Sequence, residues 1–195
     1  MNTDSKKPLR KQLRAARSAL PVAYRRKASG LALRIALRNG LFLKGRRWGF
    51  YLPLDEEFDV LPLVNQALHM GKACYLPVTA NRAARPLRFA RLDGRHGVTH
   101  NRYGIIEPHS RRLLNVRWLN RLVVPLVGFD EQGGRLGMGG GYYDATLAFM
   151  RNRSLWRRPR LIGLGFECQR AASIPTAAWD IRLDAMLTEK RLREF

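Results

Sequence analysis

Residues 122–144 read LVVPLVGFDEQGGRLGMGGGYYD, and the fold turns on this stretch. Its first six residues are an unbroken apolar run, the pattern of a buried strand. Six glycines then fall within the nine residues 133–141. Tyr142, Tyr143 and Asp144 lead into Ala145-Thr146-Leu147-Ala148-Phe149-Met150, which predicts a helix reaching about Asn152. Glycine at this density costs backbone entropy, and chains accept it where they turn sharply or approach something closely. A strand, a glycine loop and a helix start together present backbone N–H groups to an anion, usually phosphate. Asp144, at the end of the loop, is placed to hold a hard cation against that phosphate. A long loop closed by a helix cap would use the same residues. Two common nucleotide loops are excluded. No Gly-Lys-Ser/Thr ends the stretch, and Gly137-Met138-Gly139-Gly140-Gly141-Tyr142 has tyrosine where the dinucleotide fingerprint needs its third glycine.

Upstream, Arg47-Trp48-Gly49-Phe50-Tyr51-Leu52 predicts a strand, followed at once by an acidic loop over residues 53–59. Residues 60–70 have helical spacing with Gly71 as the stop, and residues 73–78 predict the next strand. Strand, helix and strand on short links form a βαβ unit, which pairs its strands in parallel. Ligands in such folds sit at the carboxyl ends of strands, so the acidic loop and the glycine loop can share one crevice. Helix-start acids explain Asp59 well and Glu57 less well.

Before this unit, residues 4–20 and 21–39 predict two helices expected to pack beside the sheet, the first with Pro8 in its first turn. Lys6, Arg10, Arg14 and Arg17 fall on one stripe of the first helix, either a solvated basic face or a phosphate clamp. A basic connector at 81–85 and the unusual Tyr103-Gly104-Ile105-Ile106-Glu107-Pro108 come later. His96 and His100 read as loop residues, without a third metal ligand nearby. Residues 161–166 and 183–189 predict two more strands. The expected architecture is one α/β domain over residues 1–195, a three-layer αβα sandwich around a mostly parallel sheet.

A hydrophobic content of 46% is that of a chain with a real core. No apolar run is long enough to span a membrane. The polar N-terminus predicts no secretory leader, and the two distant cysteines, Cys74 and Cys168, predict free thiols in a cytoplasmic protein. The net charge of +21 suggests a basic nucleic-acid-binding module as an alternative. Yet arginine supplies 29 of the 36 basic residues and is spread along the chain, without a tract interleaved with aromatics. Nucleic acid is therefore not the expected partner. A polyanionic small substrate would equally suit a basic cleft.

Five stretches, taken in order, resemble the 5-formyltetrahydrofolate cyclo-ligase family. They are Lys6-Lys7-Pro8-Leu9-Arg10, Tyr51-Leu52-Pro53 with Glu57-Phe58-Asp59, Tyr103 to Pro108, residues 128–144, and the segment from Ile162-Gly163 through Gln169, Pro175, Asp180 and Asp184 to Thr188-Glu189. Arg135-Leu136-Gly137, one variable residue and Gly139-Gly140-Gly141-Tyr142-Tyr143-Asp144 form the most specific of them. The resemblance implies a Rossmann-like sheet shared with sugar-phosphate isomerases and CoA transferases. It implies an ATP- and Mg2+-dependent ring closure of 5-formyltetrahydrofolate to 5,10-methenyltetrahydrofolate, releasing ADP and phosphate. In that chemistry the formyl oxygen is phosphorylated, N10 attacks, and phosphate leaves. Phosphoryl transfer needs positioning and charge neutralisation more than covalent catalysis.

By the same resemblance, Lys6, Arg10, Arg135 and Tyr142 are the catalytic candidates. Lys6, Arg10, Arg135, Leu136, Gly137, Met138, Gly139, Gly140, Gly141, Tyr142 and Tyr143 would bind ATP. Leu54 and Glu57, with Met138, Gly139, Gly140, Gly141 and Tyr142, would bind the folate, Glu57 reading the pterin. Asp144 and Asp184 would share magnesium. The small-molecule substrates are the expected partners, with no membrane and a monomeric chain. Met138, Val60, Ala145 and Trp179 depart from residues frequent in the family, which bears on substrate affinity.

Overall fold

A computed structural model describes residues 3–54, 56–78, 86–92, 98–100, 106–108, 113–152, 158–177 and 179–195. The expected connector at 81–85, Asp55, His96 and residues 103–105 lie outside the described residues. The helices are α1 Thr3–Ser18, α2 Val22–Arg38, α3 Leu61–His69 and α4 Tyr142–Leu147. The strands are β1 Arg47–Gly49, β2 Ala73–Val78, β3 Arg88–Leu92, β4 Val98–His100, β5 Ile106–Pro108, β6 Leu113–Asn115, β7 Arg121–Pro125, β8 Gly128–Phe129, β9 Arg135–Leu136, β10 Arg160–Leu164, β11 Ala185–Leu187 and β12 Leu192–Glu194.

Eight strands form the main sheet in the order β12-β11-β10-β7-β1-β2-β3-β6. The five central strands, β11 to β2 in that order, are mutually parallel. The edges are antiparallel, with β12 on β11 at one side and β3 and β6 beyond β2 at the other. The apolar runs that predicted strands explain the layers. In β7, Val123 enters one core while Leu122 and Val124 enter another. In β11, Ala185 and Leu187 share the first core and Met186 lies in the second. Alternate side chains leave a strand on opposite faces, so a run apolar at every position must be covered twice. On one face α2 and α3 supply Ala28, Ala32, Ala36, Leu63 and Val64; on the other α4 and the turn after it supply Leu147 and Met150. This is the expected three-layer α/β sandwich. Among the described residues, no helix is long and apolar enough to cross a membrane, and both cysteines are free.

Three expectations change. The first helix does not lie beside the sheet. Leu13 of α1 packs with Val127, Leu136 and Ile174 in a third, smaller core, at the carboxyl edge of β7. The predicted helix after the glycine loop is only six residues long and gives way to a 3-10 turn, Ala148–Arg151. Residues 128–136, expected as open loop, contain the β8–β9 hairpin, in which Gly128 pairs with Leu136 and Phe129 with Arg135.

Candidate active site

The glycine stretch is anchored before it becomes a loop. Gln169 is buried, and its Nε2 donates to the carbonyls of Leu126 and Val127 at 2.9 and 3.0 Å. Phe166 N donates to the Oε1 of the same side chain at 2.8 Å. One amide thus ties the carboxyl ends of β7 and β10. Asp130, 3% exposed, accepts from the backbone N–H groups of Gln132, Gly134 and Ile174 at 3.0, 2.7 and 2.8 Å. Gly134 is needed beside it, since a Cβ there would stand 2.5 Å from the Asp130 carboxylate. Asp130 and Gln169 carry no role in the sequence reading. The available signal for Asp130 was its place three residues before Gly133, where aspartate commonly caps a turn. Asp130→Ala leaves the buried Gly134 and Ile174 N–H groups, and the part-buried Gln132 N–H, without their acceptor and is expected to cost about 3–5 kcal/mol. Urea denaturation checks this, and an unchanged midpoint would show that the hairpin is held elsewhere.

The acidic loop is pinned as firmly. Tyr51 Oη donates to Phe58 O at 2.6 Å, and Glu57 N donates to Leu54 O at 2.7 Å. Leu54 N returns a bond of 3.2 Å to Glu57 Oε2. The far side is set by Thr146 of α4, whose Oγ1 donates to Tyr142 O at 2.6 Å and accepts from Leu87 N at 2.8 Å.

These elements enclose a cavity of about 340 Å3 at the carboxyl ends of β1, β2 and β7. Leu54 and Glu57 line it from the acidic loop, Arg135 and residues 137–144 from the glycine stretch. Pro77, Leu87 and Pro125 complete the wall and were not singled out from sequence. Leu54 and Met138 are half-exposed at its surface, 49% and 47%. Two loops about eighty residues apart therefore meet as the strand-end rule predicts.

Two of the cavity's charges pair with each other. Arg135, whose side chain is 5% exposed, donates from Nη2 to Asp144 Oδ1 at 2.5 Å, and its guanidinium lies 5.7 Å from the centre of the Tyr143 ring. Burial, reinforced by Glu57 and opposed by Arg135, pushes the Tyr143 hydroxyl far above its usual range. Burial also raises the Glu57 carboxyl, opposed by the Leu54 amide and by Arg17. Gly139 and Gly141 have φ of +97° and +66°, a backbone that side chains rarely adopt, so these two glycines are required by the turn.

The basic stripe of α1 faces inward. Arg10 Nε donates to Gly137 O at 2.9 Å. Lys6 Nζ pairs with Asp180 Oδ2 at 2.5 Å, and Asp180 also accepts from Ala177 N at 2.7 Å. Arg17 is 3% exposed, while Arg14 remains in solvent. Neither Lys6 nor Arg10 lines the cavity wall, but the Arg10 bond holds α1 against the glycine loop.

Two further candidates lie off the cavity wall. The Leu136 side chain is buried against Leu13, away from the cavity. Asp184 sits at the amino end of β11, where its Oδ2 accepts from Leu161 N at 2.6 Å and its N–H donates to Leu161 O at 2.9 Å. Leu161 pairs with Leu122, and the cavity begins at Pro125. Three residues of strand separate the two levels by about 10 Å. The shared Asp144–Asp184 magnesium pair is therefore not assembled. Spacing along the chain could not reveal this, because it does not say which end of a strand an aspartate occupies. The departures other than Met138 avoid the cavity: Val60 is buried at the start of α3, while Ala145 and Trp179 are exposed.

Relatives can be set beside this geometry. The 5-formyltetrahydrofolate cyclo-ligase of Haemophilus influenzae is 31% identical over 185 residues, covering 94% of this chain and 97% of its own. That of Escherichia coli K12 is 37% identical over 147 residues, covering 74% and 79%. The NMR structure of Aquifex aeolicus 5,10-methenyltetrahydrofolate synthetase matches with a TM-score of 0.81 at 28% identity, over 97% of this chain and 92% of that one. A Mycoplasma pneumoniae 5,10-methenyltetrahydrofolate synthetase at 21% identity and a TM-score of 0.72 shares the fold. The family description "5-formyltetrahydrofolate cyclo-ligase family" matches residues 2–189. With its arginine, glycines, paired tyrosines and aspartate gathered on one cavity, this chain belongs to the 5-formyltetrahydrofolate cyclo-ligase family.

Proposed function

We propose that this protein closes 5-formyltetrahydrofolate to 5,10-methenyltetrahydrofolate at the expense of ATP, which leaves as ADP and phosphate. The observation that carries the reading is the meeting of Glu57 and Leu54 with Arg135 and residues 137–144 on one cavity, given membership of this family. Glu57 accepts from a ring N–H and an exocyclic amine of the pterin, a pairing suited to a carboxylate. Leu54 and Met138 provide apolar surface for the flat ring.

Opposite them, the loop amides, Arg135, Arg10 and Lys6 receive the triphosphate. Because α4 is short, its dipole contributes little, and the burden falls on the loop amides and these cations. An ammonium has three donors, so Lys6 can keep Asp180 and still reach a phosphate oxygen. The carboxylate chemistry of Asp144 fits magnesium, which typically takes one or two carboxylates together with substrate phosphates. Asp184, committed to the Leu161 backbone, does not fit that role. When bound, the metal neutralises charge on the phosphates. The proposed working unit is a monomer. The free thiols are in keeping with a cytoplasmic location.

The test is the appearance of the methenyl absorbance from 5-formyltetrahydrofolate, with purified protein, magnesium, and ATP present or omitted. Product should form only with ATP. Its absence in a folded preparation would overturn the proposed activity.

A further inference from the structure

Arg17 is an unexplained charge of this fold. It is the penultimate residue of α1, 3% exposed, and its Nε and Nη1 are buried without a hydrogen-bond partner. Among the described residues no carboxylate stands within ion-pairing distance of it. Buried polar groups are nearly always satisfied, and an unpaired buried guanidinium is among the costliest exceptions.

Its surroundings point to the cavity. Ser18, the next residue, donates from Oγ to Glu56 Oε2 at 2.5 Å, which sets the end of α1 against the loop that carries Glu57. The fields of Arg17 reach Glu57 and Tyr51 on that side and Cys168 on the turn after β10. The other titratable groups around Glu57 are Glu56 and Asp59 on its own loop, Tyr51 after β1, Tyr143 on α4, and Arg135 and Asp144 on the shared cavity wall, which pair with each other. Tyr51 and Tyr143 are both raised by burial and stay neutral. With Arg135 held by Asp144, Arg17 is, among the described residues, a cation without an ion-pair partner of its own that favours the ionised form of Glu57.

We propose that Arg17 is a positioning residue of the folate subsite: its buried, unpaired guanidinium is a stand-off countercharge that keeps Glu57 ionised once the pterin ring fills the cavity and expels water. The inference rests on assigning this cavity to the folate. Desolvation by an incoming ring disfavours a carboxylate, and a fixed opposite charge offsets it. A direct Arg17–Glu57 ion pair would occupy the oxygens that must accept from the ring. A cation held beyond contact distance supports the charge and leaves those oxygens free. The orphaned N–H groups are then the structural cost of keeping that distance.

The experiment follows folate and ATP kinetics against pH for wild type, Arg17→Gln and Arg17→Lys. In Arg17→Gln the folate KM at neutral pH should rise about 10-fold, with kcat within about 3-fold and the ATP KM unchanged. The acid limb of kcat/KM for folate should move up by about one pH unit, and Arg17→Lys should return it. A limb that stays in place overturns the proposal, even if activity falls, because a purely structural role would lower activity without moving the limb. If wild type itself makes no methenyl product, the enzyme assignment has failed; if wild type turns over and the limb is unmoved, only the Arg17 inference has. Should Arg17→Gln not fold, carbon-13 NMR of the Glu57 carboxyl in wild type saturated with 5-formyltetrahydrofolate decides the matter. An ionised Glu57 at neutral pH upholds the proposal, and a protonated one overturns it.

Discussion

Asp144→Asn is expected to lower turnover at saturating ATP and folate by about 100-fold or more, while the protein stays folded. The substitution keeps an oxygen for Arg135, which now donates to Asp144 Oδ1 at 2.5 Å, and removes only the negative charge. Its effect therefore isolates the charge that magnesium requires. Asp144→Ala should lose at least as much activity and some stability as well, because Arg135 is 5% exposed and would lose its carboxylate. The stability loss should fall short of that for a fully buried pair, since the Asp144 side chain is 37% exposed. Turnover of Asp144→Asn at the wild-type rate across a magnesium titration would remove the metal assignment. Asp184→Asn serves as the contrast. It should perturb stability through the Leu161 contact while leaving the magnesium requirement alone.

Glu57→Gln should raise the folate KM by about 10–100-fold and shift the ATP KM by less than about 3-fold, the loss expected for a hydrogen-bonded charge facing one substrate only. Glutamine can accept one bond but presents an N–H where the second acceptor stood. The pH dependence supplies a further check. Burial raises the Glu57 carboxyl, with the Leu54 amide and Arg17 opposing. Ionised Glu57, and folate capture with it, is therefore lost as pH falls through a range above that of an ordinary glutamate. Wild-type kcat/KM for folate should decline there, and Glu57→Gln should be flat. Equal changes in both KM values would argue against a pterin contact.

Local chemistry explains why the core of the site was legible in the sequence. Period-two burial and unbroken apolar runs mark strands covered on both faces, and β7, β10 and β11 obey that rule residue by residue. The density of glycine over residues 133–141 marks a sharp turn, and Gly139 and Gly141 take the left-handed backbone within it. The strand-end rule then brings Glu57 and the glycine loop together without any knowledge of a contact between them. β12 was missed because three residues at a chain end, Leu192–Glu194, are too few to show a period.

What composition and motif could not supply was direction. A stripe of Lys6, Arg10 and Arg17 reads the same whether it meets water or the carboxyl edge of a sheet. Leu13 and Gly128 settle it, because a Cβ on Gly128 would come within 2.3 Å of Leu13 Cδ1, and this close approach turns α1 onto the site. Asp184 is the converse case. Its motif was recognised, yet its strand starts at the wrong end for the cavity, and the Leu161 backbone claims its carboxylate. Backbone preference and burial period are properties of neighbouring residues, so the chain declares its strands, its glycine turn and its family in one dimension. Which charges meet, and which, like Arg17, are left unpaired, depends on distances among segments far apart in sequence, and these exist only once the layers have packed.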